Sequence, residues 1–256
     1  MKRVVIVGGG FSGALIAKKL QTDFKVTLID TKEYFEFTPS VLRTLVEPEH
    51  TSKILICHKE YLKKAEIIIG EAKEVNSESV VVETKKKQKT IGFDYLVIAS
   101  GSRYSSPIKE KGVVLASRSE NFKKHHRLFH KSKNIIIVGG GPVGVELAAE
   151  IACHPGSREK TVVLVHSHDR LLERSNEKAA RYAEKFLRTQ GVNLILGEHV
   201  LEKKGKDCLT DKGTKVKADL VFLCTGIKPN FEPMKKNLSS CLNENNHVKV
   251  NAFLQV

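Results

Sequence analysis

The chain has 256 residues, 41% of them hydrophobic, and its 43 Lys and Arg against 29 Asp and Glu give a formal net charge of +14. That length suits two modest domains, and the apolar share is ample for buried cores. The five cysteines are scattered without a C-x-x-C pair or a zinc spacing, which excludes a disulfide framework and a dithiol of neighbouring cysteines.

An odd cysteine count without a framework suggests a reducing compartment, so the chain is expected to be cytoplasmic. No apolar run approaches the length of a membrane span, which leaves surface contact as the expected form of any membrane association. Lys2 excludes N-myristoylation, and the short N-terminal apolar run is no signal-peptide core. The basic balance favours anionic partners, although a Lys-rich solvated surface is the plainer reading. With 6% aromatics and no Trp, and without a binding motif, no specific nucleic acid is expected.

In chain order, VVIV (residues 4–7) is a fully apolar run of the kind a buried parallel strand shows. It runs into Gly8, Gly10 and Gly13, then ALIAKKL with helical spacing, then the strand KVTLID, which closes on Asp30. An acid about 20 residues beyond the first glycine completes the arrangement of a dinucleotide site. The glycines allow a tight turn close to a pyrophosphate, the helix start offers unpaired N–H groups, and the carboxylate accepts from ribose hydroxyls.

A second copy begins with IIIV (residues 135–138) and Gly139, Gly141 and Gly144, followed by the helix VELAAEIA and the strand TVVLVH. Pro142 sits in the turn, where its missing N–H matters least. The repeat extends further. Gly70 and Gly197 end apolar runs, polar stretches follow, and IASG and CTG close each unit at Gly101 and Gly226, with matching landmarks roughly 130 residues apart. The polar stretches read as short antiparallel strands, and Lys85 to Lys89 as a solvated hairpin. Between the units, Ser119 to Lys131 reads as a solvent-facing basic helix, and its His125, His126 and His130 lack acidic or cysteine companions. No metal site is expected.

The expected fold class is therefore α/β, with two Rossmann-like three-layer dinucleotide-binding domains. Two such units in series, closed by IASG and CTGIKPN, resemble the two-dinucleotide flavoprotein oxidoreductases of the pyridine nucleotide-disulfide superfamily. EYFEFTPSVLRTLVEP, GGGPVGVELAAEI and LVFLCTGIKPN resemble its apoptosis-inducing-factor-like branch, which includes ferroptosis-suppressor-type proteins, and FTPS is similar to type II NADH dehydrogenases.

The resemblance implies FAD in the first unit, NADH or NADPH in the second, and the second domain inserted into the first. On that basis residues 1–112 would be the first part of the FAD domain and 113–232 the NAD(P)H domain. Residues 233–256 would begin the return to the FAD domain, with the part that follows in relatives absent. Hydride would pass from nicotinamide to flavin, and electrons on to a quinone-like acceptor. Contact with a membrane periphery is compatible with this branch, and the oligomeric state is unknown. A truncated, non-catalytic nucleotide-binding module acting through a partner stays open.

Matched residue by residue, Gly8, Gly10, Phe11, Ser12, Gly13, Asp30, Thr31, Lys32, Thr38, Ala72, Ser100 and Gly101 would bind FAD. Gly139, Gly141, Pro142, Val143, Gly144, His166 and Gly226 would bind the nicotinamide nucleotide. Glu146 and Pro39 would stand near the reacting rings. The second strand ends in His166 instead of an acid, which removes repulsion of a 2′-phosphate and predicts relaxed use of NADH and NADPH, with Arg170 near enough in sequence to assist.

Overall fold

The two apolar runs become the central strands of two four-stranded parallel sheets. In this computed structural model the described residues are 1–105, 107–109, 114–205 and 207–256, with the backbone alone at 203 and 204. The first unit runs β1 (Arg3–Val7), α1 (Phe11–Leu20), β2 (Lys25–Asp30), β3 (Glu66–Ile69), β4 (Glu71–Val75), β5 (Ser79–Glu83), β6 (Gln88–Gly92) and β7 (Tyr95–Ile98). Its parallel sheet has the order β3-β2-β1-β7, with Val4 opposite Val26 on one side and Tyr95 on the other.

Helix α2 (Leu115–Lys131) leads to the second unit: β8 (Asn134–Val138), α3 (Pro142–Cys153), β9 (Thr161–His166), α4 (Glu177–Thr189), β10 (Asn193–Leu196), β11 (Val200–Lys204), β12 (Asp207–Thr210), β13 (Lys215–Lys217) and β14 (Leu220–Leu223). Its parallel order, β10-β9-β8-β14, repeats that of the first.

Strand alternation explains the three layers. Val4 and Ile6 point into a core shared with Ala17 of α1, whereas Val5 and Val7 pack against Val75, Val80 and Val82 of the antiparallel layer β4-β5-β6. In the second unit Ile135 and Ile137 meet Leu147, Ala148 and Ile151 of α3, and Ile136 meets Cys208 of the layer β11-β12-β13. Both faces of each parallel sheet are covered, so its central strand, β1 or β8, is apolar after its first residue. The Lys85–Lys87 segment forms the turn between β5 and β6, where Thr84 Oγ1 accepts from the Lys87 N–H.

Two expectations need correction or fall elsewhere. Helix α2 starts at Leu115 and is amphipathic, not solvent-facing: Arg118, Phe122 and Phe129 are buried, and His126 Nδ1 lies 2.8 Å from the Leu45 carbonyl oxygen. A helix joining two packed units must bury one face, and the Phe residues spaced seven apart supply it. The expected boundary at 112/113 lies outside the described residues.

Beyond β14 the chain returns to the first unit. Lys228–Pro229 pairs antiparallel with Ser102–Arg103, the Ser100 hydroxyl donates to the Asn230 carbonyl at 2.7 Å, and the Asn237 amide donates to Glu74. A buried ion pair locks α2 to the short strand Tyr34–Glu36 that follows β2. Arg118 Nε and Nη2 donate to Glu36 Oε2 and Oε1 at 2.7 and 3.3 Å, and the guanidinium lies 4.0 Å from the Phe122 ring centre.

Removing one partner of such a pair strands the other charge inside the protein. Arg118→Met alone is expected to cost about 3–5 kcal/mol, and joint replacement of Glu36 and Arg118 by Leu and Met to recover most of it. Urea unfolding of the two variants checks this; equal stability of Arg118→Met and wild type contradicts it.

Candidate functional site

The site begins with a backbone contact that admits no side chain. Gly8 has φ +103°, and a Cβ built there would lie 2.2 Å from the Ala99 carbonyl oxygen; the counterpart Gly139, at φ +111°, would lie 2.4 Å from that of Cys224. Each turn therefore closes against the last parallel strand of its sheet and sets a helix start at the carboxyl edge. There the unpaired N–H groups and positive dipole end of the helix favour an anion. Helix α1 has no acidic residue in its first turn and no side-chain cap, so its own first turn leaves that role open.

Above the first turn lies a cleft of about 690 Å³. Of the residues expected to hold FAD, Gly8, Gly10, Asp30, Thr31, Lys32, Thr38, Ala72, Ser100 and Gly101 line it. Gly13 is buried beneath the turn, and Ser12 and Phe11 are exposed at the helix start, with the Phe11 ring edge-on to Phe35 and Phe37. Pro39 is exposed at the start of the short helix Thr38–Leu45 and does not line the cleft. The returning chain adds Asn230, Glu232 and Pro233 to the wall.

Asp30 is held from behind by residues that sequence spacing did not reveal. His58, fully buried, places Nε2 3.0 Å from Asp30 Oδ2 and Nδ1 2.6 Å from the Tyr61 hydroxyl. Burial and the Asp30 charge push the Tyr61 phenol far above its ordinary range, so it keeps its proton. A phenol donating to Nδ1 and an Nε2–H donating to the carboxylate satisfy all three groups with a neutral ring. Asp30 Oδ1 accepts from the Thr31 hydroxyl at 3.5 Å. Gly9 makes room for this stack, since a Cβ there would fall 2.3 Å from Asp30 Oδ2 and 2.6 Å from the His58 ring.

Elsewhere on the wall, Lys109 Nζ donates to Ser102 Oγ at 2.8 Å, and burial together with nearby Lys32 holds its pKa below the ordinary lysine value. Arg103 pairs with Glu232. Asn230 donates its amide to the Ser100 carbonyl at 2.8 Å, while its buried Oδ1 has no hydrogen-bond partner among the described residues.

The second turn has the same construction. Gly141 precedes α3 in an extended conformation, Pro142 is the first helical residue, Val143 follows, and Gly144 is buried. His166 ends β9, nine-tenths buried, and burial pushes its pKa below the ordinary value. The strand ends in His166, as its sequence indicates, and the following loop brings an acid back to it. Glu173 comes back across it, placing Oε2 3.4 Å from His166 Nε2 and 2.7 Å from His168 Nδ1. Arg170 is committed to the same loop, donating to the carbonyls of Glu173 and Ser175 at 2.6 and 3.3 Å.

Glu146 is exposed on α3 outside the cleft wall, its carboxyl raised by partial burial and by Glu150, which Arg43 holds. Gly226, at φ +111°, is exposed in the crossing segment. None of the five cysteines is in a disulfide among the described residues, and burial pushes the Cys224 thiol up to about 12, so it is no thiolate nucleophile at neutral pH.

Comparison with known proteins gives a consistent picture. Residues 2–256 match the pyridine nucleotide-disulphide oxidoreductase family. The chain is 30% identical over 282 residues to apoptosis-inducing factor homolog B of Dictyostelium discoideum, spanning 100% of this chain and 71% of that protein. It is 33% identical over 271 residues to human ferroptosis suppressor protein 1, spanning 99% and 70%. Among solved structures, NDH2 from Plasmodium falciparum in complex with NADH superposes with a TM-score of 0.79 at 16% identity, over 97% of this chain and 60% of that one. The α/β fold of two Rossmann-like units is thus shared with two-domain dinucleotide oxidoreductases.

The stack behind the first turn is testable by a pair of substitutions. Gly9→Ala is expected to cost about 1–3 kcal/mol by overpacking against Asp30 and His58. Gly10→Ala, whose Cβ would meet nothing within 4 Å, is expected to stay near wild type. Thermal unfolding of both decides it, and equal midpoints contradict the stack.

Proposed function

The chain belongs to the pyridine nucleotide-disulphide oxidoreductase family, and on that premise we propose that it draws hydride from NADH or NADPH through FAD and delivers electrons to a quinone-like acceptor. When bound, FAD supplies the hydride-accepting ring. The carrying observation is the cleft over the first turn, where the glycine cradle and the start of α1 suit a pyrophosphate and the Asp30 carboxylate a ribose. The unpartnered Asn230 Oδ1 on the same wall offers one more acceptor. These residues fit FAD.

In this reading Asp30 binds the ribose of FAD through Oδ1, while His58 and Tyr61 fix its orientation. Lys32 and Lys109 offset phosphate charge. The second turn takes the pyrophosphate of NADH or NADPH, and Glu146 and the Pro39 segment stand toward the reacting rings. We assign residues 1–112 and 233–256 to the FAD unit and 113–232 to the nicotinamide unit.

The quinone-like acceptor rests on the resemblance to type II NADH dehydrogenases and on the cysteines. None of the five cysteines is in a disulfide among the described residues and the Cys224 thiol stays protonated, which disfavours reduction of a disulfide substrate through an internal dithiol. Free thiols suit a reducing, cytoplasmic compartment. The net charge of +14 suits approach to an anionic membrane surface. Among the described residues no helix is long and apolar enough to cross a membrane.

Protein loaded with FAD is expected to lose its visible flavin bands on anaerobic addition of NADH. Colourless protein that cannot be reconstituted with FAD would overturn the proposal and leave a nucleotide-binding module. In this reading the Glu173 carboxylate, which faces His166 at the end of β9, would repel a 2′-phosphate, so Glu173→Gln is expected to raise the rate of reduction by NADPH relative to NADH by about 10-fold, a change of roughly 1.4 kcal/mol. An unchanged ratio in stopped-flow traces contradicts that role.

A further inference from the structure

The end of β9 carries a cluster whose donor set goes beyond what dinucleotide binding uses. We propose that His166, His168 and Glu173 form a site for a single divalent transition-metal ion of the zinc type, bound through His166 Nε2, His168 Nδ1 and Glu173 Oε2, with a fourth position open to water.

The ligand atoms all lie within 4.8 Å of one another. Zinc binds imidazole nitrogen and carboxylate oxygen at about 2.0–2.2 Å in tetrahedral geometry, which puts neighbouring ligand atoms roughly 3.4 Å apart. The His166 Nε2 to Glu173 Oε2 separation is 3.4 Å. His168 Nδ1, at 2.7 Å from the same oxygen, needs to open by less than about 1 Å, and its exposed ring has the freedom to do so. Two histidines and one glutamate with an open position make a ligand set that zinc takes in proteins.

A second observation points to a ligand. His166 is 7% exposed, and its Nε2 is buried without a hydrogen-bond partner. Glu173 Oε2, also buried, faces this nitrogen at 3.4 Å and His168 Nδ1 at 2.7 Å. Leaving a buried ring nitrogen without a hydrogen bond is costly, and an ion held between it and the carboxylate would satisfy it. Ser167 Oγ, 3.1 Å from His168 Nδ1, is the polar neighbour the ion would displace.

The loop that delivers Glu173 is built to hold it there. Leu172 N–H donates to the Gly140 carbonyl at 2.8 Å, and Leu171 N–H to Glu184 Oε1 at 3.2 Å. Leu172 itself takes φ +50°, a left-handed conformation that is uncommon for a bulky residue. Arg170 clamps the carbonyls on the far side of the loop. The carboxylate is therefore positioned before any ion arrives, which lowers the cost of binding.

Zinc chloride titrated into the full chain by calorimetry tests the site, after the protein has been stripped with EDTA. The expected result is one tight equivalent, weakened at least 10-fold in His168→Ala and in Glu173→Gln. His168 is exposed, so its variant is expected to fold, and circular dichroism of both variants checks this. Cobalt(II) provides a second readout, with visible bands of a tetrahedral centre in wild type that are absent from His168→Ala. Absence of tight zinc binding in wild type would overturn the proposal. So would wild-type affinity in both variants, or binding lost on alkylation of the thiols but kept in His168→Ala.

Discussion

Everything in this architecture depends on two places where backbone meets backbone with no room for a side chain. At Gly8 and Gly139 the chain leaves a central strand in a conformation that L side chains rarely adopt and passes against the carbonyl of the last parallel strand. That approach fixes where the following helix begins. It therefore fixes where the helix's unpaired N–H groups gather, and where the end of the second strand brings its side chain. In one unit that side chain is Asp30; in the other it is His166. The same backbone device thus presents an anionic group in the first unit and an imidazole in the second.

The middle glycine of each turn makes the device specific. Gly9 leaves space for Asp30 and His58, and Gly140 leaves space for the His166 ring, 2.7 Å from where a Cβ would stand. What stands behind the turn then differs. A hydrogen-bonded relay from Tyr61 through His58 orients a carboxylate in the first unit, whereas a returning glutamate faces two imidazoles in the second. Longer contacts join the halves: the Glu36–Arg118 pair, the Arg43–Glu150 pair, and the strand formed when Lys228–Pro229 returns to Ser102–Arg103. That return carries Asn230 onto the wall of the first cleft, so the IASG and IKPN segments, nearly 130 residues apart, build one surface.

Much of this was legible in the sequence because it is local. Apolar runs ending in glycines, helical spacing after them and an acid at the end of the next strand are short-range signals, and their repetition at constant spacing announced both units. The antiparallel layers were legible as alternating polar stretches. The partners of the site residues were not. His58 lies 28 positions from Asp30 and Arg118 lies 82 from Glu36, as the residue separations of their hydrogen bonds record, and no periodicity links them. Glu173 lies in the loop beyond His166, and no local pattern marks that it folds back across the strand end. Helix α2 looked solvated because its many Lys and His residues masked the Phe122 and Phe129 stripe. Long-range pairing of charged groups is where reading by pattern ran out.

The central claim is that the first turn holds FAD with Asp30 as the acceptor for its ribose. The most direct measurement is the affinity of the chain for FAD, by flavin fluorescence, in wild type and in an Asp30→Ala variant whose circular dichroism is native. A hydrogen bond to a charged group is worth about 1.5–3 kcal/mol, so the account predicts FAD binding weaker by about 10- to 100-fold in the variant. Equal affinity in the two proteins would contradict it.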